Sequence, residues 1–281
     1  VGDIHLGANM DYAPRLWKKQ LLHLKNIFDY AVKNDIGHIF LMGDIFDNPN
    51  PPDWLKIALR KLLFKYRGKL KFYVVIGNHD WESVEKHALQ IMHDLGETNL
   101  FNFKVFTKPE VIKIEGVRLF ICSHPHILDV PSKKIDWCLG HFAWNNAKAD
   151  NGFEVKSGNA PRGRWILGDF HTHQHGTRYV YAGSISQISA NESLPKGVLL
   201  FDKDDWQFKP FEPTYKLGTI EVETEKQLRA LDKDTMWSIK TVNGFTIPAD
   251  YKQEHPNIIH ITAARKRKDI RAQVLLAKED S

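Results

Sequence analysis

Three times in the first 80 residues a strand-like segment meets a glycine followed by polar side chains. "GDIHLG" carries Asp3 and His5, "LMGDIFD" carries Asp44, and "VVIGNHDW" carries Asn78, His79 and Asp80. Between these segments the apolar residues fall at helical spacing: Trp17, Leu21, Leu24, Phe28 and Ala31 within Arg15–Asn34, then Leu55, Leu59, Leu62 and Tyr66 within Asp53–Tyr66. Val84, Ala88, Ile91 and Leu95 predict a further helix. Apolar strands alternating with amphipathic helices predict an α/β sheet, because each crossover must bury one helical face against it. In such sheets functional groups gather beyond the carboxyl ends of the strands, so the three polar clusters are expected to meet.

Beyond about Asn102 the helical spacing fades. The runs "EVIKIEG", "VRLFICS", "WCLGHF", "WILGDF", "RYVYAGS", "GVLLFD" and "WQFKPF" predict a second sheet, with "KADNGFEVKSGNAPRGR" as a surface loop between two of its strands. "FEPTYKLG" reads as a boundary, giving a first domain over 1–211 and a small α+β domain over 212–281 with a helix around Thr224–Leu231. The chain of 281 residues is long enough to bury a real core.

Two cysteines, Cys122 and Cys138, are too few for a disulfide framework and lack zinc-knuckle spacing. No apolar run reaches the roughly 18 residues a membrane span needs, and "VGDIHLGANM" lacks the features of a signal peptide. A soluble protein of a reducing cytoplasm, with no membrane partner, is expected; a few strand residues are expected upstream of Val1. The net charge of +5 is compatible with a polyanionic partner without requiring one.

Any one Gly-Asp pair is ordinary turn chemistry. Gly-Asp-x-His, Gly-Asp-x-x-Asp and Gly-Asn-His-Asp in series, followed by "GHF" at His141 and "GDFH" at Asp169 and His171, are hard to explain that way. Carboxylate, amide and imidazole together form a mixed oxygen and nitrogen ligand set suited to Mn, Fe or Zn.

The series resembles the calcineurin-like metallophosphoesterases, whose motifs run D-x-H, G-D-x-x-D, G-N-H-[D/E], a strand-end H and G-H-x-H. The resemblance implies a two-sheet sandwich flanked by helices. It implies one divalent metal on Asp3, His5, Asp44 and His171, and another on Asp44, Asn78, His141 and Asp169, with Asp44 bridging. His79 falls on the family's general acid and Asp80 on the residue that orients it. Imidazole suits that role because it ordinarily titrates near neutrality.

Asp169 stands where the family has histidine. A third anionic ligand weakens the Lewis acidity of the pair and favours a hard metal, Mn first, with Mg or Fe as alternatives. Two registries stay open: Asp169 with His171, or His171 with His173 and Asp169 behind them. His124 in "CSHPHI" competes with His141 for the fourth motif.

"GDIFD" followed by prolines, then "GNHD", then "GDFH" and "YVYAGSISQIS", is similar to SbcD-type DNA repair nucleases, bacteriophage versions above all. This second resemblance implies a Mn-dependent exonuclease on DNA ends and endonuclease on single strands. It also implies a homodimer, an SbcC-like SMC-type ATPase partner, and a capping domain in the tail. Arg265, Lys266, Arg267 and Lys268 form a basic run that fits either phosphate contacts or a solvated face. Trp81 and Trp144 fit either base stacking or core packing. A small-molecule phosphodiesterase or nucleotidase, and a non-catalytic DNA-binding subunit, are the alternative readings.

Overall fold

The protein is seen in a computed structural model that describes residues 1–263 apart from 12, 84–85, 99–100, 127–129, 133, 151, 157, 193–194, 249–250 and 252–254. The basic run Arg265, Lys266, Arg267 and Lys268 lies outside the described residues. The chain forms two compact units, 1–216 and 217–281.

In the first unit, His38–Met42, Lys71–Val75 and Phe103–Phe106 make a parallel sheet. The amino-terminal segment runs beside it, with the Met42 N–H donating to the Val1 carbonyl and the Leu6 N–H to that of Ile45. Alternation along these strands sorts the side chains. Ile39, Leu41, Phe72 and Val74 face helices Leu16–Lys33 and Asp53–Lys65, meeting Leu24, Phe28, Leu55 and Leu59. Phe40, Met42, Val75 and Phe106 face the second sheet, meeting Leu119, Ile121, Leu139, Ile166 and Val180. Burying both faces is what makes these strands apolar throughout.

The second sheet has six strands, in the order Gln174–His175, Tyr179–Tyr181, Trp165–Gly168, Trp137–His141, Val117–Cys122 and Glu110–Ile114. Its four inner strands are parallel and both edge pairings antiparallel. Its outer face packs Trp165, Leu167 and Tyr181 against Phe142, Trp144, Ala147 and Phe170 from the irregular segments between strands. Both cysteines are buried in this layer.

The expected helix through Val84 and Leu95 is shorter in the structure. Trp81–Ser83 and Lys86–His87 pair as a small hairpin and the helix occupies only Gln90–Gly96, while Val84 lies outside the described residues. Ile91 is 52% exposed, so it is not on a buried face. The units divide five residues later than the sequence suggests, because Tyr215 anchors that stretch to the first unit: its hydroxyl bonds Ser186 Oγ (3.1 Å) and the Gln187 carbonyl (3.0 Å).

The strand Lys216–Val222 leads from the last residue of the first unit into the second, where it forms a sheet with Thr235–Thr241 and Ile258–Ala263 in that order. Its core gathers Val222, Leu228, Ile239, Tyr251 and Ile258. The helix Glu225–Arg229 is short and starts with a capping box between Thr224 and Gln227. Among the described residues no helix is long and apolar enough to cross a membrane.

Candidate metal centre

The strand ends His38–Met42, Lys71–Val75, Trp137–His141 and Trp165–Gly168 deliver Asp44, Asn78, His141 and Asp169 to one edge of the sandwich. His141 sits directly opposite Gly168 in the strand register, which sets its ring beside Asp169. Two glycines make room for that ring. A Cβ on Gly43, whose φ is +91°, would collide with His141 Nδ1, and one on Gly168 would stand 2.6 Å from the same atom. His5, Asp44 and Asp169 are themselves held at positive φ (45°, 47° and 106°), a costly backbone state for non-glycine residues that clusters at functional sites.

His5 is fixed from both sides. Its Nδ1 lies 3.1 Å from Asp47 Oδ1, and the buried Gln20 donates to the His5 carbonyl (3.2 Å) while accepting from the Gly7 N–H (3.0 Å). His5 Nε2 is then 3.4 Å from Asp44 Oδ2 and 3.2 Å from His171 Nε2. His141 Nδ1 lies 2.7 Å from the Met42 carbonyl, which directs Nε2 to Asn78 Oδ1 (2.9 Å) and Asp44 Oδ1 (3.3 Å). Asp44 thus touches both histidines with different oxygens, the arrangement a bridging ligand requires. The donor atoms of Asp3, His5 and His171 all lie within 4.8 Å of one another, as do those of Asp3, Asp44 and His141 and those of His5, Asp44 and His79.

Three features fit these residues to divalent cations. Asp3 Oδ2 is buried with no donor among the described residues, although Oδ1 accepts the Asp169 N–H (2.9 Å). Donors that bind one cation at about 2.1 Å stand about 3 Å apart, which is the spacing between the facing atoms of His5, His171 and Asp44. The carboxylates also call for positive charge. Burial opposes charge on His5, yet its bonds to Asp44 and Asp47 outweigh it and push the imidazole up to about 10. His141 rises to about 10 against burial through Asp44, Asp3 and Asp169. Without a metal, protons on these rings balance the aspartates.

Asp169 lies at the site, with Oδ1 3.9 Å from His141 Nε2. Its carboxyl is pushed up to about 6, first by burial, with Asp3 and Asp44 adding to the rise against the lowering by His141. His171 belongs to the centre, but His173 does not. His173 Nδ1 lies 2.8 Å from the Tyr181 carbonyl and its ring stacks on Phe208 at 4.1 Å. His124 packs edge-on against Trp81 and joins none of the ligand groups found among the described residues.

Asp80 corrects the sequence expectation. It does not touch the His79 ring; buried completely, it accepts from the backbone N–H groups of Ile45 (3.1 Å), Phe46 (2.9 Å) and Gly77 (3.2 Å). It therefore ties the Asp44 loop to the Asn78 loop. Orientation of His79 comes from the Asp47 carbonyl, 2.9 Å from Nδ1, while the His79 N–H donates to Asp44 Oδ1 (2.9 Å). Of the two readings left open for Trp144, core packing is the one seen: it is 5% exposed with its ring between those of Phe142 and Tyr179, and its backbone N–H donates to the buried Tyr181 hydroxyl. Trp81 is half-buried, with its ring parallel to that of His87.

Asp47, Gln20, Asp150, Glu192 and Lys196 were not singled out from the sequence. Asp150 accepts the His171 N–H (2.9 Å), and the Glu192–Lys196 pair stands behind the same histidine. Only the second aspartate of "GDIFD" and the four-residue spacing of Glu192 and Lys196 offered a signal.

A sandwich that gathers aspartate, asparagine and histidine at its strand ends is the framework of a metal-dependent phosphoesterase. The calcineurin-like phosphoesterase family profile matches residues 1–186, and the chain belongs to that family. It is similar to the DNA double-strand break repair protein Mre11 of Saccharolobus solfataricus, 24% identical over the whole of this chain and 78% of that protein. The protein of the same name from Sulfurisphaera tokodaii is 25% identical over 72% of this chain and 58% of its own length. That from Methanocaldococcus jannaschii is 27% identical over 44% and 32% respectively.

Proposed function

We propose that the chain is a metal-dependent DNA nuclease, and that Asp3, His5, Asp44 and His171 hold one divalent cation while Asp44, Asn78, His141 and Asp169 hold another. The observation that carries this is Asp44, whose two oxygens meet His5 and His141 at 3.4 and 3.3 Å within a buried carboxylate–imidazole cluster. Cations bound there neutralise phosphate oxygens and activate water for in-line attack on a phosphodiester. The residues do the rest. Met42 and Asp47 fix the rings of His141 and His5, and Asp80 holds the two ligand loops together. His79 is exposed at the rim, its Nδ1 facing the Asp47 carbonyl, so that Nε2 is the atom able to hand a proton to the departing oxygen.

DNA as substrate is supported by the Mre11 relatives, all three of which carry DNA repair in their names. Exonuclease action at ends, endonuclease action on single strands, Mn as the working metal, a homodimer and an SbcC-like ATPase partner complete the proposal. The unit 217–281 serves in it as a DNA-contacting cap, and the hard carboxylate Asp169 favours Mn. The test is digestion of end-labelled duplex and single-stranded DNA with Mn, Mg or chelator, beside a small chromogenic phosphodiester. Mn-dependent DNA degradation is expected. Turnover of the small ester alone would identify a small-molecule phosphodiesterase instead, and metal-independent DNA binding without turnover a non-catalytic subunit.

A further inference from the structure

Behind His171 lies an ionic frame that the reaction as described does not use. The Lys196 ammonium, 1% exposed, spends its three N–H groups on the His171 carbonyl (2.9 Å), Ser184 Oγ (2.8 Å) and Glu192 Oε2 (2.7 Å). Glu192, 5% exposed, turns its other oxygen to His171 Nδ1 (3.1 Å), where it also accepts the Ser189 N–H (3.0 Å); the more exposed Asp150 Oδ2 stands 3.3 Å from the same nitrogen, but the hydrogen bond is Glu192's. The Ser184 N–H adds a second bond to the His171 carbonyl (3.0 Å). His171 is therefore gripped at its carbonyl and at its ring by one connected network.

A lysine buried this deeply is costly unless every N–H is matched and its charge is paired, and both conditions hold here. The network reaches the metal centre through a single ring: Glu192 meets Nδ1, and the opposite nitrogen, Nε2, faces His5 at 3.2 Å.

We infer that Glu192 and Lys196 are positioning residues for the cation position shared by Asp3, His5 and His171. Glu192 accepts a hydrogen bond from the Nδ1–H of His171, which fixes the tautomer and leaves Nε2 bare toward the cation; a carboxylate on the far nitrogen also strengthens the imidazole as a ligand. Lys196 neutralises Glu192 and keeps it behind the ring. Without the lysine, Glu192 Oε2 loses its ammonium partner and the His171 carbonyl loses one of its donors, so the carboxylate is free to turn away from Nδ1 and release His171. The inference rests on the metal reading above, and its test separates the two.

The variants are Glu192→Gln, Lys196→Met and the double variant, which leaves no lone buried charge and so guards against simple unfolding. Circular dichroism and thermal unfolding of the metal-free proteins establish that each is folded. Imidazole nitrogen NMR of metal-free protein at alkaline pH reads the tautomer with no metal present. The wild type is expected to hold the proton on Nδ1 of His171, and the variants to show a mixture. Calorimetric Mn titration should show one of two binding steps weakened about 10–100-fold in the double variant, with the other unchanged. A folded double variant with wild-type tautomer and both wild-type affinities would overturn the inference. Should the wild type bind no cation, the metal reading fails, while the tautomer measurement still decides what Glu192 and Lys196 do.

Discussion

Replacing Asp169 by asparagine should stabilise the metal-free protein and cripple its response to metal. In the folded chain the Asp169 carboxyl is raised from 3.8 to about 6, chiefly by burial, its side chain being 23% exposed. A raised carboxylate disfavours folding once it ionises. The cost is absent below pH about 4, grows as pH rises to about 6, and is constant above that. Two pH units at 1.36 kcal/mol each put it at roughly 3 kcal/mol at neutral pH. Asparagine has no charge to bury, and the Asp169 backbone N–H that donates to Asp3 Oδ1 is untouched. Urea denaturation of chelator-treated protein at neutral pH should therefore show Asp169→Asn more stable than wild type by about 1–3 kcal/mol, the difference vanishing toward pH 4. Adding Mn should invert the ranking, because wild type gains stability from the bound ion and the variant gains less. A variant destabilised without metal would refute the burial argument, and one stabilised by Mn as fully as wild type would refute the ligand assignment.

His79→Ala should lower kcat on DNA by about 100-fold or more while Mn affinity by calorimetry stays within a few-fold, with the deficit shrinking for an ester whose leaving group needs no proton. Because His5 and His141 are both raised to about 10 in the metal-free chain, Mn binding must expel protons. Titrations in buffers of different ionisation enthalpy should report proton release at neutral pH and an affinity that falls as pH is lowered. Tyr181→Phe removes a buried hydroxyl that donates to the Phe142 carbonyl (2.9 Å) and accepts the Trp144 N–H (2.7 Å). It should cost about 2–4 kcal/mol in denaturant unfolding.

The glycine-polar motifs were legible because each combines two local requirements. The apolar strand must be buried on both faces, and the glycine must leave space for a ligand's neighbour, as Gly43 and Gly168 do for His141. The two long helices and most strands of both sheets followed from the pattern, but Phe103–Phe106 was not marked, and Gly197–Phe201 and Trp206–Pro210, expected in the second sheet, pair with each other as a separate two-stranded sheet. What the sequence hid depends on contacts between distant segments. Asp80 looked like a partner for its neighbour His79, yet its carboxylate bonds the loop some 35 residues earlier. Gln20 and Lys196 lie within or beyond elements whose pattern explains their neighbours and not them, and only the tertiary structure brings them to His5 and His171. Trp144 beside a ligand motif could have faced either way, and the hydrophobic layer outside the second sheet decided it.

Anomalous diffraction from crystals of the protein soaked in Mn tests the central claim most directly. The account predicts two peaks with Asp44 between them, one against Asp3, His5 and His171 and the other against Asn78, His141 and Asp169. A single peak, or ions bound away from Asp44, would contradict it.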